Sequence, residues 1–249
     1  MSGDFLYSGR EMARNLDPAA RVLVFIDGQN AYKSCDRLYG HGACHPLLLA
    51  EELRAGRRLV GVRYYSGVHD PTVDGRGRSR TDRRHNLMRA AGVTVVERKL
   101  RYRWDWGFDG GQLPNPRTSQ GQTRRVTVTP YQRPREKGID LAIGLDVLDL
   151  ALEGCMDVAV IVSSDTDLCE AARSTHRVTG NATRVSVEAA VFTEGRKAIL
   201  LEHYDYTHQL RKSAFDAAQD SFDYSKTLDP VHVKAFAQSC DQLRKHFGS

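Results

Sequence analysis

The fold is decided by the stretch RVLVFIDGQN (21–30), an apolar run that ends in a carboxylate. Arg21–Ile26 is short, rich in β-branched residues and without polar interruptions after its first position, which is typical of a strand buried on both faces. Such strands belong to parallel sheets that helices cover on both sides. Asp27 and Gly28 end the run, so the first acidic side chain stands at the carboxyl end of the strand.

Four further strand-like segments alternate with helical ones along the chain. They predict strands over 57–67, 93–100, 156–165 and 183–192, with helices over 30–38, 46–55, 82–91, 137–154, 168–178 and 196–203. We interpret 69–80 as a loop, 101–122 as an irregular insertion and 124–132 as a strand able to pair in a hairpin. The alternation predicts a three-layer α/β/α fold with a central, mainly parallel sheet of about five strands. Ligands bind beyond the carboxyl ends of the strands in such sheets.

The composition is that of a globular protein: the chain has 249 residues, of which 41% are hydrophobic. No stretch approaches the roughly 18 consecutive apolar residues that span a membrane. The N-terminal stretch MSGDFLYSGREMARN lacks the apolar core of a secretory signal. The five cysteines are scattered and odd in number, which favours reduced thiols over a disulfide framework. We therefore expect a cytoplasmic protein that does not contact membranes.

Two of the predicted strands end in carboxylates. Asp27 follows the first strand directly, and Asp165 ends the fourth, with Asp167 two residues further on. Both strands are predicted to lie inside the sheet, so these carboxylates should converge and repel one another unless a cation lies between them. Mg²⁺ or Mn²⁺ suits a site of few carboxylates and several waters. Asp is also a favoured helix N-cap, which is the simpler interpretation of Asp27 or Asp167 alone, but two acids at matching strand ends favour the metal site.

The helix predicted over 137–154 carries further acids. Asp140 lies in its first turn, where the positive end of the helix dipole favours an acid whether or not it binds a metal. Asp146 lies roughly 120° round the helix from Asp140, so the two share no stripe but could flank one cavity. We interpret Asp149 as solvated or hydrogen-bonded.

Three segments, in this order, resemble the signature segments of the NYN domain family: FIDGQN (25–30), KGIDLAIGLDV (137–147) and VSSDTDL (162–168). The resemblance covers about residues 21–200 and implies a PIN-like nuclease fold with, in many members, metal-dependent ribonuclease activity. By position, it implies that Asp27, Asp140 and Asp165 are catalytic, metal-binding acids. It also implies that Asn30 is a polar partner in catalysis and that Asp146 and Asp167 are accessory catalytic acids. Ser164 stands where the family more often has glycine, and Leu168 where an aromatic residue is common, which leaves the substrate open.

A basic, aromatic segment leads into the helix of Asp140. Residues 98–137 contain ten Lys or Arg and three acids, a local charge of +7, while the whole chain carries +5. Phosphates attract such cations, and unpaired bases stack on aromatic rings. We therefore predict a nucleic-acid track formed by Arg103, Trp104, Trp106, Arg124, Arg125, Arg133, Arg135 and Lys137. The alternative is that the tryptophans pack a hairpin and the arginines are merely solvated.

The acidic residues and the basic segment, together with the activity that the resemblance implies, predict an endoribonuclease that uses Mg²⁺ or Mn²⁺ and acts on single-stranded or structured RNA. Three alternatives stay open: a catalytically silent module for nucleic-acid binding or assembly, a structure-selective DNA nuclease, and a phosphatase for small phosphates. The expected organisation is a leader (1–20), a catalytic domain (21–205) with the insertion at 101–135, and a C-terminal helical extension (206–249). The extension could form a homodimer, bind a protein partner or cover the sheet.

Overall fold

The computed structural model describes residues 16–42, 44–108, 128–180, 184–194 and 203–220. Its strands are β1 (Arg21–Asp27), β2 (Arg58–Val68), β3 (Thr94–Lys99), β4 (Arg101–Phe108), β5 (Val128–Arg135), β6 (Val158–Val162), β7 (Ser186–Phe192) and β8 (Tyr206–Leu210). Its helices are α1 (Gly28–Tyr39), α2 (Pro46–Arg54), α3 (Gly75–Ala90), α4 (Ile139–Leu152), α5 (Cys169–Thr179) and α6 (Lys212–Ala217), and a 3₁₀ turn (Thr166–Leu168) precedes α5.

The central sheet has six parallel strands in the order β3-β2-β1-β6-β7-β8. The chain builds outward from β1 to β3 on one side, then returns to the centre and builds outward from β6 to β8 on the other. The direction therefore reverses between β1 and β6, which is the switch point where ligands bind in open α/β sheets. The predicted α/β/α class is confirmed, with one strand more than expected.

The two faces of the sheet bury different helices. Side chains alternate along β1, so that Val22, Val24 and Ile26 join one apolar cluster with residues of α1, α2 and α6. Leu23 and Phe25 point the other way and join a second cluster with α4 and α5. This two-sided burial explains why the first strand reads as a continuous apolar run. No helix in the described part of the chain is long and apolar enough to span a membrane.

Two predictions of local structure are wrong. Residues 75–80 were assigned to a loop, but α3 begins at Gly75, because Asp74 accepts the N–H of Gly77 at 2.8 Å and caps the helix. Residues after 206 were assigned to a helical or irregular extension, but Tyr206–Leu210 pairs with β7 as the sixth strand. The helix predicted over 196–203 lies almost wholly outside the described residues.

The basic insertion begins as regular structure. β4 and β5 pair antiparallel as a hairpin of their own, separate from the central sheet. The predicted pairing is confirmed in type, although the second strand occupies Val128–Arg135 and Arg101–Phe108 is a strand rather than irregular. Residues 109–127 lie outside the described part of the chain.

Candidate active site

The carboxyl ends of β1 and β6 lie side by side at the switch point. Ile26 and Val162 are partners in register, so Asp27 and the residues that follow Val162 meet at one edge of the sheet. Both strands are interior and apolar, whereas the residues immediately beyond them are polar. The fold therefore brings Asp27 and Asp165 to one place, as their positions at strand ends predicted.

Asp27 is both the last residue of β1 and the N-cap of α1. One carboxylate oxygen accepts the N–H of Asn30 at 3.0 Å, and the other lies 3.4 Å from the hydroxyl of Ser163, which donates to it. The residue is only 5% exposed. The capping interpretation is thus confirmed, because one oxygen accepts the N–H of Asn30. The same carboxylate lines the cleft, and its role in a metal site stays a prediction.

Asn30 ties the first turn of α1 to the segment after β6. Its side-chain oxygen accepts two hydrogen bonds from Ser164, one from the backbone N–H and one from the hydroxyl, both at 2.9 Å. Ser163 in turn accepts the N–H of Asp165 at 3.1 Å. Asn30 and the two serines therefore fix the loop from which Asp165 projects.

Asp140 reaches the same cleft from the first turn of α4. The N-cap of this helix is Gly138, whose φ of 82° lies in the left-handed region that glycine adopts without strain. This turn lets the chain leave β5 and direct the start of α4 at the switch point. The backbone turn in the Lys-Gly-x-Asp segment thus positions the carboxylate of Asp140 in the cleft.

Glu136 is a fourth acid of the cleft, although in the sequence it stands out only as one of three acids within the basic segment. Its carboxylate accepts the N–H of Gly67 at 2.6 Å, which joins the hairpin to the end of β2. A Cβ at Gly67 would overlap both Glu136 and Leu100, so glycine permits this approach. The available signal was its place directly before the Lys-Gly-x-Asp segment.

These acids line one open cleft of about 410 Å³. Two lysines, Lys33 and Lys137, stand at its wall. The complete lining is Asp27, Gln29, Asn30, Lys33, Glu136, Lys137, Gly138, Ile139, Asp140 and Asp165. Five of the predicted site residues therefore meet here, namely Asp27, Asn30, Asp140, Asp165 and Lys137.

The carboxylates are close enough to affect one another. Burial raises the pKa of Asp27, and repulsion from Asp140 and Asp165 adds to this, although hydrogen bonds from Asn30 and Ser163 oppose it. The pKa of Asp140 is raised by burial and then by Asp165, and that of Glu136 by burial and then by Asp27 and Asp140, against the hydrogen bond from Gly67. Negative charge is thus held in the cleft at an electrostatic cost that a bound cation would relieve.

The arrangement fits a hydrated cation better than a closed cage. Among the described residues, no three His, Cys, Asp or Glu side chains form a group compact enough to enclose a metal ion. Mg²⁺ is usually held by one or two carboxylates and keeps several waters. An open cleft with mutually repelling acids at its walls fits that mode, with Asp27, Asp140 and Asp165 as the candidate ligands.

Asp146 and Asp167 are not among the residues that line the cleft. Asp146 accepts hydrogen bonds from Arg63 at 2.8 Å and from the hydroxyl of Tyr65 at 2.6 Å, further along α4. Asp167 is exposed, and its N–H is donated to Asp165 at 2.9 Å. Asp146 therefore supports the packing of α4 on the sheet, and Asp167 orients Asp165 and repels Asp140.

The candidate nucleic-acid residues divide between the two faces of the hairpin. Trp104 and Trp106 share one face and are 67% and 61% exposed, while Arg103 and Arg133 are cross-strand partners on the other. Arg135 ends β5 and leads to Lys137 in the cleft. Arg124 and Arg125 lie outside the described residues. Neither tryptophan belongs to an apolar cluster of the described residues, which does not favour the packing alternative.

Fold and site together define a parallel α/β/α protein with an acidic cleft at its switch point. The family model of the NYN domain matches residues 21–210. The chain therefore belongs to the NYN domain family, which is a PIN-like nuclease family.

Comparisons with individual proteins add little. A crystal structure of a protein of unknown function from Vibrio parahaemolyticus is 15% identical, with a TM-score of 0.48, and covers 79% of this chain and 96% of its own. The U34-tRNA thiolase NcsA from Methanococcus maripaludis is 11% identical, with a TM-score of 0.27, over 95% of this chain and 71% of its own. No curated protein matches the chain.

Proposed function

We propose that this protein is a metal-dependent endoribonuclease that hydrolyses phosphodiester bonds of RNA. The observation that carries the proposal is the convergence of Asp27, Asp140, Asp165 and Glu136 on one open cleft at the switch point. Membership of a nuclease family supports the same chemistry.

The candidate metal ligands are Asp27, Asp140 and Asp165, and Mg²⁺ or Mn²⁺ is the cation that their oxygen ligands favour. Such a cation supplies Lewis-acid chemistry, since it favours ionisation of water near neutral pH and offsets the charge that builds on phosphate oxygens. The chain's own residues hold the geometry. Asn30 and Ser163 fix the loop of Asp165 through hydrogen bonds. Glu136 accepts the N–H of Gly67 and so fixes the segment that leads into α4.

A polymeric substrate is favoured over a small phosphate by the surface around the cleft. Lys33 and Lys137 stand at the cleft wall, and the hairpin that leads to Glu136 exposes two tryptophans and several arginines. A small phosphate needs no such surface, whereas single-stranded nucleic acid uses cations for its backbone and aromatic rings for its bases. RNA is proposed over DNA because the NYN resemblance implies ribonuclease activity.

The test is cleavage by purified full-length protein with Mg²⁺, Mn²⁺ or EDTA. The substrates are labelled single-stranded RNA, the matching DNA and a chromogenic phosphate monoester. We expect RNA to be cut only with metal, and Asp165→Asn to lower the rate by at least about a hundredfold. Glu170→Gln, which neutralises an exposed acid on α5, serves as the matched control and should cut like the wild type. Binding of RNA without metal-dependent cleavage would instead favour the catalytically silent binding module. Cleavage of DNA but not of RNA would show that the substrate is DNA.

A further inference from the structure

A second groove continues from the acidic cleft on the side of α3. It has a volume of about 590 Å³ and shares Gln29 and Glu136 with the cleft. One wall is α1, represented by Tyr32, and the other is the first half of α3. A molecule that fills the cleft and extends past Glu136 therefore meets this groove next.

The helix that forms the far wall is rich in arginine. Residues 75–90 contain six arginines and one aspartate. Some of the arginines are engaged within the fold, since Arg78 pairs with Asp82 at 2.7 Å and Arg89 with Glu97 at 2.7 Å. Arg80 is different, because it is exposed in the groove and makes no ion pair or hydrogen bond with the described residues.

Arg84 follows Arg80 one turn later on the same wall. Its guanidinium lies 5.6 Å from the centre of the Tyr64 ring, a cation–π arrangement that holds the side chain over the floor of the groove. Gly28 makes this floor possible, because a Cβ there would overlap the Tyr64 ring. Two guanidinium groups, one held and one free, thus follow each other along the groove.

Tyr32 supplies an aromatic surface on the opposite wall. It is 48% exposed, although its ring packs against Gly42, where a Cβ would overlap it. One face of the ring is therefore fixed by the fold while much of the side chain stays accessible to solvent. A fixed, exposed aromatic ring facing cations is the arrangement that holds single-stranded nucleic acid.

We propose that this groove binds the part of the single-stranded RNA that extends beyond the nucleotides held in the acidic cleft. Arg80 and Arg84 contact its phosphates, and Tyr32 stacks on an unpaired base. The simpler interpretation is that an arginine-rich helix is only a solvated surface, but that interpretation does not explain why a free arginine and an exposed tyrosine face a groove continuous with the acids. The proposal rests on the proposed function for the identity of the ligand and concerns residues outside the basic insertion.

The test uses Arg80→Gln and Tyr32→Ala in the full-length protein. Arg89→Gln is the matched control, because Arg89 lies about 180° round α3 from Arg80 and outside the groove. Tyr32→Phe, which keeps the ring, tests rescue. Cleavage is measured on RNA of about four and about sixteen nucleotides, lengths that span the usual range of single-strand sites.

We expect Arg80→Gln and Tyr32→Ala each to lower kcat/KM on the longer RNA by about tenfold, mainly through KM, consistent with losing one phosphate or stacking contact. Both variants should cut the shorter RNA at nearly the wild-type rate. Tyr32→Phe should match the wild type on both RNAs. Arg80→Gln should also flatten the dependence of log Kd on log salt by about 0.7, the value for one phosphate on a single strand.

Binding of the same fluorescent RNA is measured in EDTA, so that this proposal and the nuclease proposal fail separately. If no RNA is cut but Arg80→Gln and Tyr32→Ala still weaken binding by about tenfold, the groove stands and the nuclease activity does not. If wild-type protein cuts RNA while both variants match Arg89→Gln in Kd and in kcat/KM at both lengths, the groove proposal is overturned. Melting curves of each variant exclude loss of folding as the cause.

Discussion

Single residues at the switch point combine structural and chemical roles. Asp27 caps α1 with one carboxylate oxygen, yet burial raises its pKa, and repulsion from Asp140 and Asp165 raises it further. Asp27 and Asp165 could both be selected from the sequence as candidate site residues, because each stands at the end of an apolar run. Glu136 was not identifiable in that way, because its role depends on the hydrogen bond to Gly67, which lies 69 residues away in the chain. A contact of that kind leaves no local pattern.

Asp27→Asn separates the two roles of this residue. Asn is as good an N-cap as Asp, so the helix keeps its start while the cleft loses one charge. A carboxyl with a raised folded-state pKa stabilises the protein below its ordinary pKa, and this contribution is lost as the pH rises through the raised value. At pH 7 in EDTA we therefore expect Asp27→Asn to have a Tm equal to or above that of the wild type.

The measurement is thermal unfolding with EDTA and then with Mn²⁺, with Asp36→Asn on the exposed side of α1 as control. Mn²⁺ should raise the Tm of the wild type and of Asp36→Asn but not that of Asp27→Asn, because binding to the folded state alone stabilises it. A lower Tm for Asp27→Asn in EDTA would mean that its carboxylate is mainly structural.

Helices and strands were predictable where their burial leaves a simple pattern of apolar residues in the sequence. The central strands β1 and β6 bury both faces and show it as continuous apolar runs. α3 is harder, since its buried residues are only Gly77, His85 and Met88, so no apolar stripe marks its start. β8 places Thr207 and His208 in the interior, where His208 contacts Glu188 at 2.6 Å, and buried polar residues resemble a surface segment in sequence.

The hairpin of β4 and β5 is the element whose function is most directly testable. A two-stranded ribbon is marginally stable alone, and this one is anchored at its base, where Tyr102 bonds to His69 and to the N–H of Asp70, both at 3.1 Å. We expect Trp104→Ala and Trp106→Ala to change the free energy of unfolding by less than about 0.5 kcal/mol, because exposed side chains contribute little to stability.

The same two variants should weaken binding of single-stranded RNA about tenfold each, as expected for the loss of a stacked base. Fluorescence anisotropy measures binding and urea titration measures stability, and Leu152→Ala, an exposed apolar residue on α4, is the control. Loss of stability with unchanged binding would show that the tryptophans pack the hairpin instead.

The whole molecule contains a buried charged cluster on the side of the sheet away from α4. Arg57 and Glu188 are fully buried and pair at 2.6 Å, and His208 bonds to the other oxygen of Glu188. Burial acts to raise the pKa of Glu188, but His208 and Arg57 outweigh it and hold the pKa below its usual range. This cluster joins the end of α2 to β7 and to β8, the strand that the sequence did not predict.

Removal of Arg57 or Glu188 alone should therefore lower the free energy of unfolding. We expect Arg57→Leu to lower the free energy of unfolding by about 3–5 kcal/mol, because it leaves Glu188 charged and buried without one of its two partners. The contribution of Glu188 is present above the ordinary glutamate pKa of about 4.3 and is lost as the pH falls through its depressed value. Urea titrations between pH 7 and pH 3 measure both effects, with the exposed Arg173→Leu as control. Equal stability of Arg57→Leu and wild type would show that the buried pair contributes nothing.

The central claim is that carboxylates from separate elements form one catalytic cleft at the switch point. Its most direct test is the single-turnover rate of RNA cleavage in Mn²⁺ for wild type, Asp140→Asn and Asp149→Asn. Both variants remove one acid from α4, but Asp149 lies about 180° round the helix from Asp140 and outside the cleft. We expect Asp140→Asn to cut at least about a hundredfold more slowly and Asp149→Asn to match the wild type. Equal rates for the wild type and Asp140→Asn would contradict the site.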